Sequence, residues 1–163
     1  MVDKTAFSPD EWNLVLASPM LVSTAITLAD PSGLWGTIKE SMAGATSLAG
    51  LKKDPGANAI AQAILADFET SEGRSAARDA LKADLSGKST AEMKTAVLAK
   101  LAALNSVLAA KAPAEAAAFK DWLKGIAQKT AEASSEGGFL GFGGVKVSEA
   151  EKATLAEITA ALG

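Results

Sequence analysis

The side chains that most often do chemistry are missing from this chain, which holds no His, no Cys and no Tyr. Without imidazole there is no base poised near neutral pH, no His metal ligand and no Ser-His nucleophile. Without a thiol there is no cysteine nucleophile, no disulfide framework and no thiolate metal site. A ferritin-like di-iron centre needs a carboxylate with a His three residues on, so that cofactor of helical bundles is excluded too. Asp, Glu, Lys, Ser and Thr remain. The nearest acidic pairs, Asp67 with Glu69 and Glu132 with Glu136, lack the ligand density of a Mg or Ca site and have the character of solvated helix surface. The residue types therefore predict no catalytic residue, no cofactor and no metal: a protein that is not an enzyme.

Two stretches are less ordinary. The run Gly137-Gly138-Phe139-Leu140-Gly141-Phe142-Gly143-Gly144 leads into a helix start, where free backbone amides suit an anion. No Gly-Lys-Ser or Gly-Lys-Thr follows it, however, and no strand precedes it, as phosphate-binding loops require. Its glycines supply positive φ angles, while Phe139, Leu140 and Phe142 either tuck into the protein to pin the connection or form an exposed apolar tip that docks a partner. The second stretch is Arg74, Arg78 and Lys82, which contains both arginines of the chain. Spaced four apart, they line one side of a helix as adjacent like charges, each pair costing ~0.2–0.5 kcal/mol. They are either a contact for an acidic partner or a solvated stripe relieved by Glu72 and Asp79.

The elements that carry these residues are helices. Phe7-Ser8-Pro9-Asp10-Glu11-Trp12 opens the first, with Ser8 as cap, Pro9 in the first turn, Glu11 closing a capping box, and Phe7 and Trp12 at staple positions. Ser18-Pro19 marks a second start, so two short helices are expected before the turn Asp30-Pro31-Ser32-Gly33. Leu34, Trp35, Ile38, Met42, Ala45 and Leu48 then line one helical face. Lys52-Lys53-Asp54-Pro55-Gly56 is a loop, Ile60, Ile64, Leu65 and Phe68 form the next face, and a weak break falls at Thr70 to Gly73.

In the second half Ser89-Thr90-Ala91-Glu92 is another capping box, followed by Met93, Val97, Leu101, Leu104 and Leu108 at helical spacing. Pro113 opens a helix with Phe119, Trp122, Leu123 and Ile126 on one stripe, ending at Gly137-Gly138. Ser148 to Glu151 is a third box, with Leu155, Ile158 and Leu162 as the core face of the closing helix. No stretch reads as a strand. The expected fold is all-α, a compact bundle of about six to eight helices in a single domain spanning residues 1–163.

Composition agrees with one core, since 163 residues is about the length of one domain and buries about 68–70% of the unfolded surface. A net charge of -3, from 16 basic and 19 acidic residues, lacks the basic excess that neutralises phosphates, so nucleic acid is not an expected partner. The N-terminal residues show no apolar run behind a basic start, which predicts a cytoplasmic protein. The most apolar stretch, Met20 to Ala29, is interrupted by Ser23, Thr24 and Thr27 and is about half the ~20 residues of a membrane span, so no span is expected.

The stretch from Gly137 to Gly163, with Gly-Gly-Phe-Leu-Gly-Phe-Gly-Gly-Val-Lys-Val-Ser-Glu-Ala-Glu-Lys, is similar to the C-terminal end of small bacterial all-helical proteins that carry no assigned activity. Its loop-then-helix pattern also loosely resembles tellurite-resistance-type helical domains, where an Asp-Gly precedes a Val-Ser-x-x-Glu helix start. Here Gly143-Gly144 stands in place of that Asp-Gly, so the acidic metal-site feature is not carried over. The resemblance implies a helical fold and supplies no mechanism.

Two functions fit. The first is a helical interaction or oligomerising module whose partner is another protein or its own copy, with an exposed apolar patch. The second is a bundle enclosing a small apolar or amphipathic ligand, suggested by 48% hydrophobic residues and by small Ala and Gly side chains that leave room between helices.

Overall fold

The computed structural model describes residue 2, residues 4–29, 58–136 (side chains to 132) and 147–163. These residues form a bundle of six α-helices: α1 (Pro9–Ala29), α2 (Ala59–Glu69), α3 (Ser71–Leu85), α4 (Thr90–Lys111), α5 (Pro113–Glu136) and α6 (Glu149–Leu162), with a short 3-10 turn at Lys4–Ala6 before α1. No strand occurs among the described residues. The stripe from Leu34 to Leu48 lies outside them.

α1 begins as its sequence dictates. The Ser8 amide donates to Glu11 Oε2 at 2.7 Å, and the Glu11 amide donates to Ser8 Oγ at 3.3 Å, so each half of the capping box satisfies an orphan amide. The Phe7 and Trp12 rings sit 5.7 Å apart, centroid to centroid, in the staple arrangement that fixes the entry of the chain.

The expected helix start at Ser18-Pro19 is not there. α1 runs without a break through Pro19 for 21 residues. A proline inside a helix removes the amide that would pair with the carbonyl four residues back, here that of Val15. The Ser18 hydroxyl donates to that carbonyl at 2.6 Å and fills the vacancy. Ser18 is fully buried, so the serine that reads as a cap from sequence serves as an internal substitute donor.

The break at Thr70 to Gly73 is one residue wide. Thr70 ends α2 and starts α3: its amide and hydroxyl both donate to the Asp67 carbonyl, at 3.0 and 2.7 Å, and its Oγ accepts from the Gly73 amide at 2.9 Å. A Cβ at position 73 would stand 2.1 Å from the Asp67 carbonyl oxygen, so only glycine lets the two helices meet at this angle. α2 is capped at its start by Asn58, whose Oδ1 accepts from the Ile60 and Ala61 amides at 2.9 and 3.1 Å.

α1 is the centre of the bundle and packs against α3, α4, α5 and α6. Its Leu16, Leu21 and Ile26 meet Ile60, Ile64, Leu81, Leu101, Leu104, Leu108, Phe119, Leu123 and Ile158 in one core. Each such side chain contributes about 1.5–3 kcal/mol when fully buried. On α5, Phe119 stacks at a tilt on Trp122 with centroids 5.6 Å apart. α6 closes the bundle through its own box, Ser148 Oγ accepting from Glu151 and Glu151 Oε2 accepting from Ser148.

Candidate functional surface

The cationic stripe comes apart. Arg74 Nη1 donates to the carbonyls of Phe68 and Glu69 at 2.8 and 3.0 Å, the last carbonyls of α2, where a cation also meets the negative end of the helix dipole. Its task is to cap the preceding helix and hold the α2–α3 corner. Arg78 and Lys82 are exposed on α3. Among the described residues neither forms an ion pair, and neither Glu72 nor Asp79 pairs with the stripe. Arg74 is exposed as well, so all three cations of the stripe reach solvent, with Arg74 also engaged at the end of α2.

Phe139, Leu140 and Phe142 lie outside the described residues. The acidic candidates are structural where they are described. Asp67 accepts from Trp12 Nε1 at 2.8 Å and from Lys4 Nζ at 3.1 Å, tying the start of the chain to α2. Glu132 accepts from Gln128 Nε2 one turn before it. No group of three or more acidic residues fit to hold a metal occurs among the described residues.

Two carboxyl groups are held below the ordinary glutamate range, and both belong to helix caps. Glu11 is lowered chiefly by the hydrogen bond from the Ser8 amide, with Lys111 assisting. Glu92 is lowered by its hydrogen bonds to the Ser89 side chain and amide. Their shifts follow from capping a helix, which favours the ionised form.

α4 carries the surface that sequence reasoning missed. Val97, Leu101, Leu104 and Leu108 face the core and are fully buried. Two residues further along a helix is a turn of about 200°, so Thr95, Ala99, Ala102, Ser106 and Ala109 form a second stripe on the opposite side, and all five are exposed. Ala91, Ala103 and Ala110 flank it. Two lysines of the helix turn to neighbouring helices: Lys94 pairs with Glu157 of α6 at 2.9 Å, and Lys100 with Asp84 of α3 at 3.2 Å. At the far end Lys111 reaches Glu11 at 3.6 Å. The first half of the face is a shallow surface open to solvent, bordered by Lys88, Ala91, Glu92, Thr95, Ala96 and Ala99.

The signal was present in the sequence as alternating three- and four-residue steps between small residues. It is hidden there because alanine fits the inside and the outside of a helix equally well. Periodicity locates the leucine face and says nothing of whether the other face is covered.

α4 and α1 are the two described helices long and apolar enough to cross a membrane by length and composition. This corrects the length argument made for Met20 to Ala29, since α1 continues through Pro19. Of the apolar window in α1, 67% is buried inside the fold, against 22% in α4.

Compared with known proteins, the chain matches no family model, no curated protein and no solved structure.

Proposed function

We propose that this chain is a non-enzymatic helical interaction module, which docks a helix of another protein or of its own copy on the outward face of α4. One observation carries the reading: α4 is apolar enough by length and composition to cross a membrane, yet only 22% of that apolar stretch is buried in the fold, and its outward stripe is made of exposed Ala, Ser and Thr. A helix of this apolarity is normally covered over more of its surface. Side chains as small as Ala, Ser and Thr favour a helical occupant, because they let two helix axes approach to the short end of the usual 8–10 Å spacing. The described part of α4's face also lacks the bulky and aromatic side chains that anchor a helix in lipid.

The test is native mass spectrometry of the protein recovered from its own host, beside the double variant Ala99→Glu/Ala102→Glu. The expected result is a wild-type complex, a multiple of the 16.5 kDa chain or the chain with a second protein, that falls to the single chain in the variant. A wild-type protein that flies as a bare single chain overturns the proposal. So does a complex that the double variant leaves intact. A retained small-molecule mass that vanishes on denaturation, with no second polypeptide, would make the protein a ligand carrier instead.

A further inference from the structure

We draw no further inference here: the strongest candidate, the alanine-lined outward face of α4 between Ala91 and Ala110, belongs to the surface already proposed for docking, and nothing in the structure shows which partner covers it.

Discussion

α1 and α4 are nearly equal in length, 21 and 22 residues, and each holds a stretch apolar enough to cross a membrane, yet the fold treats them in opposite ways. α1 places Val15, Leu16, Leu21, Val22, Ile26 and Leu28 around its circumference, and all six are buried. α4 concentrates Val97, Leu101, Leu104 and Leu108 on one side and leaves alanines on the other. Hydropathy averages over both faces, whereas burial follows the apolar area each residue brings, at roughly 25 cal/mol per Å². Leaving an alanine methyl in water costs little; a leucine in its place costs about three methylenes' worth more by the same scale. The fold therefore has to surround α1, while it can leave the alanine side of α4 exposed.

The sharpest way to break this contrast is to place the same charge on each helix. Ala25 of α1 is fully buried, and Glu there would put an unpaired carboxylate in the core. An uncompensated buried charge costs about 3–5 kcal/mol, much of a typical stability of about 5–15 kcal/mol. Ala25→Glu is expected to lower the midpoint of the thermal transition followed by circular dichroism by many degrees, whereas Ala102→Glu should leave stability within about 0.5 kcal/mol of wild type. A normal melt for Ala25→Glu would show that α1 is not the central helix.

On α4 itself the two faces should separate. Leu101 is fully buried, and Leu101→Ala should cost ~2–5 kcal/mol through lost burial and the cavity left behind. Urea denaturation measures it. A loss below about half a kcal/mol, at the level of a surface substitution, would mean that the leucine face is not packed as described.

Ser18 tests why α1 is one helix. In Ser18→Ala the Val15 carbonyl loses its donor in a buried position, at a cost of about 1–3 kcal/mol. The double variant Ser18→Ala/Pro19→Ala returns a backbone amide to the same carbonyl and should recover part of that loss in the same denaturation experiment. No loss in the single variant would show that the hydroxyl does not compensate the proline.

The sequence made the helical class, all three capping boxes and the Leu101 face legible, because each rests on interactions within a few residues of one another. Ser18-Pro19 misled because a Ser-Pro pair opens a helix and can also sit inside one, and the outcome depends on whether the hydroxyl turns back to a free carbonyl. Asn58 and Gly73 carried weak signals: an Asn before an apolar run, and a glycine that reads as a break but is the close approach of two helices. Arg74 illustrates a different limit. Its partners are carbonyls of the preceding helix, reached only because Thr70 turns the chain sharply, and spacing along its own helix, which groups it with Arg78 and Lys82, does not show them. The exposed face of α4, proposed above to dock a partner, was least legible, since alanines at helical spacing look the same buried or bare.

The smallest effects should fall where α1 and α4 are alike. Both open on the same Ser-x-x-Glu box, so Ser8→Ala and Ser89→Ala should each cost about 0.5–2 kcal/mol, whichever face the helix then presents. Acid separates the box from the face. Glu92 is held below the ordinary range mainly by Ser89, so the folded state favours its ionised form. That contribution is present above the ordinary glutamate value of about 4.3 and is lost as the pH falls through the lower folded value. Melting temperatures measured from pH 7 downward should show wild type losing stability in acid more steeply than Ser89→Ala, the two curves converging as Glu92 is protonated. Parallel curves would mean that the Ser89 hydroxyl is not what holds the Glu92 carboxylate down.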